Sequence, residues 1–259
     1  MRGPFETRER YANSGQLSRA DGSGSFGFGA QTSLASVTGP IEVRLRDEIT
    51  DSATLQFIFS PLDGPAGIAA KASATEMLDL FKAVVLAHHH PRTQIQVTVQ
   101  TTSTQPTTSV FHNSAPLLLG PDAAPLAAET ATSINAAMMA LLDAGIPMKA
   151  TVAAISCAVL EKPSPLRTPA EKSIMGPYSI VVDPSPEEEG MAMSRHVFVF
   201  AVSGIDPTAP DRQDAAVQLV YTSSTGKTPM PILTRLIDLA VEEAFRTQEI
   251  MRAALNVRA

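Results

Sequence analysis

The chain contains one cysteine and no tryptophan, and aromatic residues make up only 5% of its 259 residues. The lone Cys157 excludes a disulfide framework and any cysteine-based zinc site, and it suits a reducing compartment. No run of about 18 apolar residues is present, so we predict no membrane-spanning segment. The first thirty residues lack an apolar core, so no secretory signal is expected.

Positive charge is also scarce. The 26 acidic residues outnumber the 20 basic ones, which gives a formal net charge of −6. An acidic protein does not attract nucleic acid with its whole surface, so a role with RNA must rely on local basic patches or on partners. The hydrophobic fraction of 44% excludes wholesale disorder, and the length suits one large domain or two small ones.

The periodicity of the apolar residues predicts an α+β fold. Residues 1–14 are charged and polar and predict a flexible tail, whereas a domain with strand and helix patterns begins at Gly15. We predict that the strand at 54–61 is buried on both sides and that Ser73 or Thr75 caps the first helix. Insertions rich in proline are expected at about 102–128 and 161–177. The other strands are predicted at 93–101, 150–160, 179–183, 196–202 and 216–222, and the helices at 77–85, 132–143 and 230–255. Strands grouped before a helix, twice over, indicate mixed sheets packed with helices in one domain.

Two runs of side chains that could bind a metal lack the spacing of a metal site. The histidines at 88–90 are consecutive and have no suitably spaced carboxylate or cysteine nearby, which favours an exposed turn over a metal site. The glutamates at 187–189 favour a solvated turn over a magnesium site. The apolar surroundings of Cys157 predict inert packing.

Four segments together resemble the ribonuclease PH family. They are residues 18–43, which include the run GAQTSLASVTGP; residues 82–100; residues 133–159, which include DAGIPM; and residues 179–190 with 197–204. The resemblance spans roughly 15–255 and implies a ribonuclease PH-like fold. Active members shorten RNA from its 3′ end with inorganic phosphate as the nucleophile. That activity implies cations and backbone amides around the phosphate, and carboxylates that hold a metal or move a proton.

The resemblance places opposite charges where this family binds phosphate. The family's helix arginine falls on Asp79, and its Gly-Thr-Arg loop falls on Ala128, Glu129 and Thr130. Two like charges about 5 Å apart repel by roughly 3 kcal/mol at an effective dielectric near 20. Asp79 and Glu129 are therefore expected to repel phosphate.

The carboxylate set of the family is also altered. Its first aspartate is kept as Asp183, its second falls on Glu189, and its third falls on Arg195. A set with one charge reversed cannot hold magnesium in the same way. We therefore predict a chain without catalytic residues, metal or cofactor.

This pattern resembles the non-catalytic ring subunits of the eukaryotic RNA exosome. The opening Leu17, Arg19, Asp21, Gly22 and Ser23, with HPRT at 90–93 and DAGIPM at 143–148, carries that likeness. The resemblance implies a six-membered ring of ribonuclease PH-type subunits, RNA-binding cap subunits, single-stranded RNA in the pore and no membrane. It also implies location in the nucleus, the nucleolus and the cytoplasm.

Two other functions remain open from the sequence. One is an active phosphate-dependent 3′→5′ exoribonuclease, which Asp79, Glu129 and Arg195 disfavour. The other is a metal-dependent nuclease that uses Asp183 with Glu188 or Glu189.

A pair of arginines is the predicted RNA contact. Ile41, Val43 and Leu45 alternate with Glu42, Arg44 and Arg46, so period-two geometry places both arginines on one face of a strand. In ring subunits of this family the corresponding hairpin points towards the pore, which implies that Arg44 and Arg46 contact RNA phosphates. The alternative is that both only solvate an exposed face or pair with neighbouring acids.

Overall fold

Two β-sheets form the framework of the computed structural model, which describes residues 7–62, 64–104, 125–161, 178–203 and 216–256. The first sheet has the order β1-β2-β3-β5-β4, in which β4 and β5 are parallel and the other neighbours are antiparallel. The second sheet has the order β7-β6-β8-β9 and is antiparallel throughout. The strands are β1 (Arg10–Ser14), β2 (Gly22–Phe28), β3 (Gln31–Glu42), β4 (Thr54–Ser60), β5 (Thr93–Ser103), β6 (Thr151–Leu160), β7 (Ser179–Val182), β8 (Ser194–Ser203) and β9 (Ala216–Gly226).

Within the described residues, four α-helices pack with these sheets, so the predicted α+β class with mixed sheets is confirmed. They are α1 (Ile68–Val84), α2 (Ala127–Asp143), α3 (Pro186–Met191) and α4 (Met230–Asn256), and a short 3₁₀ helix spans Ala87–His89. Helix α1 connects the parallel pair β4 and β5, and the ring of its Phe81 stacks on Phe57 of β4 at 5.1 Å. No helix in the described part of the chain is long and apolar enough to cross a membrane.

Helix α2 lies between the two sheets and is the most deeply buried helix. It packs on β2 and β3 on one side and on β6 on the other, and every residue from 131 to 141 is buried. The helix fits because small residues line the contact: Gly24 of β2 leaves room for Met139 and for the backbone of Ala140. The side-chain amide of Asn135 accepts a hydrogen bond from the backbone N–H of Ala154 and donates one to its carbonyl oxygen, at 2.8 and 2.9 Å.

The predicted flexible tail over residues 1–14 is wrong for its last part. Residues 10–14 form β1, which pairs with β2 from Arg10↔Phe28 to Ser14↔Gly24. The charged residues at 8 and 10 that suggested a solvated segment instead find buried carboxylates, as described below. Residues 1–6 lie outside the described residues.

Several element boundaries also differ from those predicted. Helix α1 begins at Ile68 after the N-cap Gly67, so neither Ser73 nor Thr75 caps it. Strand β4 is buried on one face only, because Gln56 and its same-face neighbours are partly exposed. Residues 102 and 103 still belong to β5, and residues 127 and 128 already belong to α2, so these four are not part of an insertion. The rest of the predicted insertions lies largely outside the described residues, which omit 105–124 and 162–177.

The close approach of β2 to α2 yields a first prediction. Gly24→Ala would place a Cβ 2.5 Å from Cβ of Met139 and 2.7 Å from the backbone N of Ala140. Because the helix backbone cannot move aside cheaply, we expect a loss of about 2 kcal/mol or more in the free energy of unfolding, measured with urea. The matched control is Gly190→Ala in α3, whose added Cβ meets nothing within 4 Å. Equal stability of the two variants would contradict the packing described here.

Candidate functional site

The candidate site lies at the N-terminus of α2, where a buried carboxylate caps the helix. Glu189 accepts hydrogen bonds from the backbone N–H groups of Ala127 and Ala128, at 3.0 and 2.9 Å, one on each carboxylate oxygen. The first N–H groups of a helix have no partner inside the helix, and together they attract negative charge. The N-cap residue Leu126 supplies no side-chain hydrogen bond, so Glu189 takes over that task from a distant part of the chain.

Helix α3 holds Glu189 in this position. Ser185 and Glu188 form a capping box: the Ser185 hydroxyl accepts from the Glu188 N–H at 3.3 Å, and the Glu188 carboxylate accepts from the Ser185 N–H at 2.9 Å. Pro186 at the first turn favours the helical start. The prediction of a solvated acidic turn is therefore wrong, because the three consecutive glutamates point to different surroundings: Glu187 is exposed, Glu188 caps the helix and Glu189 is buried.

Two opposing effects act on the ionisation of Glu189: its burial disfavours the charged form, and nearby N–H groups and arginines partly offset that effect. Burial raises the pKa of Glu189 to about 7, because a charged carboxylate loses its hydration there. The N–H groups of Ala128 and Ala127 and the positive charges of Arg195 and Arg8 act in the opposite direction. Arg195 lies on β8 opposite Ala158 of β6.

Asp183, which follows β7, is held by an arginine from the other end of the chain. Arg8 donates from Nε to Oδ2 of Asp183 at 3.0 Å and from Nη2 to Oδ1 at 2.5 Å. The same Nη2 donates to the carbonyl oxygen of Pro184 at 3.0 Å. The side chains of Arg8 and Asp183 are 9% and 1% exposed, so the ion pair is buried.

Of the residues that the resemblance assigns to phosphate binding, Asp79 and Glu129 make separate local contacts. Asp79 lies on the exposed face of α1 and pairs with Lys82 at 3.2 Å. Glu129 lies in the first turn of α2, where its Oε1 accepts a hydrogen bond from the Thr101 hydroxyl at 2.7 Å. The Thr130 hydroxyl donates to the carbonyl oxygen of Leu126 at 3.1 Å.

The carboxylates near α3 do not form a metal-binding set. No group of three or more His, Cys, Asp or Glu side chains with metal-ligand geometry occurs within the described ranges. The pairs considered for a metal-dependent nuclease are engaged elsewhere: Asp183 with Arg8, Glu188 with Ser185 and Glu189 with α2. His88 and His89 are exposed on the 3₁₀ helix.

Cys157 is a buried core residue, as its apolar neighbours in the sequence predict. It is fully buried in the cluster between the second sheet and α4. Burial raises the pKa of its thiol, and the nearby negative charges of Asp183 and Glu243 act in the same direction. A thiol that does not ionise is not a nucleophile.

The two predicted RNA-contacting arginines are exposed, but they do not share a strand face. Strand β3 ends at Glu42, and residues 45–47 form a turn in which the Asp47 N–H donates to the Arg44 carbonyl oxygen at 2.8 Å. Period-two spacing therefore does not apply to Arg44 and Arg46. Leu45 between them is 90% exposed, and Arg46 makes a solvent-exposed ion pair with Asp47 at 3.3 Å.

Comparison with known proteins agrees with the predicted resemblance. A family model described as the 3′ exoribonuclease family, domain 1 (RNase PH), matches residues 6–147. The exosome complex component rrp46 of Schizosaccharomyces pombe is 32% identical over 143 residues, which cover 55% of this chain and 54% of that protein. The chain thus spans about half the length of that relative. The exosome complex component RRP46 of Saccharomyces cerevisiae is 29% identical over 186 residues, which cover 71% of this chain and 70% of that protein.

A solved structure shows that the fold is shared along the chain. The crystal structure of rice (Oryza sativa) Rrp46 superposes with a TM-score of 0.72, at 22% identity, and 98% of each chain is covered. The ribonuclease PH-like fold is therefore confirmed. The predicted likeness to exosome subunits is confirmed by the two sequence relatives, which are both of the Rrp46 type.

The buried carboxylate at α2 predicts a pH dependence of stability. The pKa of Glu189 rises from 4.5 to about 7 on folding, so the folded state binds the proton more tightly than the unfolded state. Its ionisation therefore costs stability as the pH rises from about 4.5 to about 7, by about 3 kcal/mol in all. Below that window the carboxyl group is protonated in both states, and above it the cost is constant.

We expect Glu189→Gln to remove this fall. The free energy of unfolding, measured with urea between pH 4 and 8, should then decrease less with pH in the variant than in the wild type. Glu187→Gln on the exposed side of α3 retains Glu189 and should keep the wild-type fall. Parallel curves for wild type and Glu189→Gln would contradict the assignment.

Proposed function

The chain belongs to the 3′ exoribonuclease (RNase PH) family, whose model matches its residues 6–147, and from that membership we propose that it is a structural, RNA-channelling subunit of the RNA exosome ring. It pairs with other ribonuclease PH-type subunits in a six-membered ring, together with RNA-binding cap subunits. The two relatives that match 55% and 71% of this chain are named exosome complex components, which supports this assignment. Its place of action is the nucleus and nucleolus, and also the cytoplasm.

We further propose that the chain itself does not catalyse phosphorolysis, and one observation carries this proposal. The first N–H groups of α2 lie where the family resemblance places the loop that binds phosphate, and here they donate to Glu189. A backbone N–H that already donates to a carboxylate 2.9 Å away is not available to a second anion. A phosphate would also meet the charge of Glu129 in the same turn of the helix.

The state of Asp183 supports the same proposal. A general base or a metal ligand must present a free lone pair, and a general acid must present a proton, to water, metal or substrate. The two carboxylate oxygens of Asp183 accept from the Arg8 guanidinium, and the residue is 1% exposed. Arg195 adds a positive charge near Glu189, which disfavours a divalent cation between these side chains.

The exposed turn that follows β3 supports the RNA-channelling part of the proposal. Arg44 and Arg46 are both exposed at this turn, and the side chain of Arg46 is 80% exposed. Exposed arginines on a projecting turn attract the phosphates of single-stranded RNA without reading bases. The negative charge of the rest of the chain is compatible with this role, because only the residues that face the pore need to be basic.

An active phosphate-dependent exoribonuclease is the alternative function. Family membership is the observation that favours it, because the family is described as 3′ exoribonucleases. It requires the α2 N-terminus to exchange Glu189 for phosphate during turnover.

The two functions differ in a phosphorolysis assay. We expect the purified chain, alone or in a ring whose other subunits are inactive, to release no nucleoside diphosphates from single-stranded RNA in the presence of phosphate. The physical reason is that Glu189 occupies the N–H groups at the start of α2 and Asp183 is paired with Arg8, so neither group is available to phosphate or metal. Phosphate-dependent release that disappears in Asp183→Asn would overturn the proposal, and magnesium-dependent release of monophosphates would favour a hydrolytic nuclease instead.

The RNA-channelling role is tested by charge reversal in the assembled ring. Arg44→Glu with Arg46→Glu should weaken the binding of single-stranded RNA for all sequences and flatten the salt dependence of its affinity by about one to two units of slope. The matched control is Arg235→Glu with Arg252→Glu, two exposed residues of α4 that bring the same change in net charge. Mass measurement of the native complex first establishes that all variants assemble. An unchanged salt slope in the first double variant would leave these arginines with no role in RNA binding.

A further inference from the structure

The segment before β2 is fixed to the protein by more than strand pairing. We call residues 7–14 the strap. Its strand β1 is the five-residue edge strand of the first sheet, and an edge strand of that length gains little from backbone pairing alone. Tyr11 of the strap lies over Gly27 of β2, where a Cβ would be 2.3 Å from the phenol ring. The absence of a side chain at Gly27 therefore leaves room for the Tyr11 ring of the strap on β2.

Two arginines of the strap reach buried carboxylates on two other elements. Arg8 pairs with Asp183 after β7, as described above, and Arg10 pairs with Glu243 of α4. The Arg10 guanidinium also donates to the Thr247 hydroxyl at 3.1 Å and lies 5.4 Å from the centre of the Phe28 ring. The strap thus joins the first sheet to the second sheet and to α4.

Both ion pairs of the strap are buried. The side chains of Arg8, Asp183, Arg10 and Glu243 are each between 1% and 9% exposed. A charge at that depth has lost most of its hydration, so removal of Asp183 or Glu243 leaves the arginine that it holds uncompensated. Glu243 itself also pairs with Arg246 of α4 at 2.5 Å. Asp183 also has a positive φ of 54°, an uncommon conformation for a residue other than glycine, and its N–H donates to the Ser156 carbonyl oxygen at 2.8 Å.

We propose that Asp183 is the anchor of the strap: this aspartate, which the family resemblance assigns to chemistry, here serves to hold Arg8 and so to close the strap over the second sheet. This inference rests on the proposed absence of catalysis, because a carboxylate committed to Arg8 does not serve a metal or a proton transfer. Glu243 is the second anchor, and it acts on Arg10 in the same way.

Limited trypsin digestion of the full chain tests the anchor. Trypsin cleaves after arginine, and Arg8 and Arg10 are buried while the strap is closed. When cleavage is slow relative to closing, its rate follows the population of the open strap. We expect Asp183→Asn and Glu243→Gln to accelerate cleavage after these two arginines about tenfold or more, as read by mass spectrometry of the released N-terminal peptides. Circular dichroism should show that both variants remain folded.

Matched controls use the same chemical changes at exposed sites. Asp79→Asn on α1 and Glu242→Gln on α4 should leave cleavage of the strap at the wild-type rate, because both residues are exposed. Arg8→Gln keeps the cleavage site at Arg10 and provides a second test if Asp183→Asn does not fold. Arg8→Gln with Asp183→Asn should open the strap no more than the worse single variant, since no buried charge is then left unpaired.

Three results would overturn the anchor. They are wild-type cleavage rates in Asp183→Asn and Arg8→Gln, additive effects in the double variant, or equal acceleration in the exposed controls. Phosphorolysis is measured separately, so a chain that degrades RNA overturns the proposed function, whereas a strap that stays closed without Asp183 overturns only the anchor.

Discussion

The burial of α2 between two sheets is the constraint on which the rest of the structure depends. A helix that is covered on both sides has no water for its polar groups, so each of them needs a partner from the protein. Asn135 meets the backbone of β6, and the hydroxyls of Thr132 and Ser133 meet Ser33 of β3, at 3.1 and 3.2 Å. Side chains must also be small where β2 crosses the helix, which explains the glycine at residue 24. The same constraint reaches the start of the helix, where N–H groups remain after the internal hydrogen bonds are formed.

The family resemblance implies that phosphate binds at that helix start, and here a carboxyl group of the protein itself takes that place. Glu189 accepts from the two N–H groups, because α3 fixes its position and its burial keeps water from competing for them. The arrangement stabilises the fold without substrate, and it removes the donors that a phosphate would use. The proposed absence of catalysis and the helix cap then have one physical cause, the contact between Glu189 and the start of α2.

Local patterns in the sequence predicted most of the elements, whereas the contacts of the site depend on distant residues. Strand β5 follows from the alternation of Ile95, Val97 and Val99, since one buried face imposes period two. The capping box of Ser185 and Glu188 was also readable, and it is the signal that could have identified α3 in place of a solvated turn. By contrast, the partner of Arg8 is 175 positions away, so no periodicity identifies it. For Arg44 and Arg46 the local pattern itself was misleading. The alternation of apolar and polar residues continues past Glu42, but the strand ends there, so the two arginines were wrongly placed on a strand.

The distribution of charge separates the two parts of the proposed role. In the interior, the charges of the candidate site are balanced within the chain: Asp183 by Arg8, and ionised Glu189 by the α2 N-terminus with Arg195 nearby. Balanced buried charges exert little force on a ligand, because their fields cancel over a few ångströms. The turn after β3 differs, since its arginines are exposed and Arg46 pairs with Asp47 at the surface, where salt screens the interaction. Under the proposed function, a polyanion in a pore would interact with that turn and not with the balanced interior, which is how a chain of this kind would guide RNA without cleaving it.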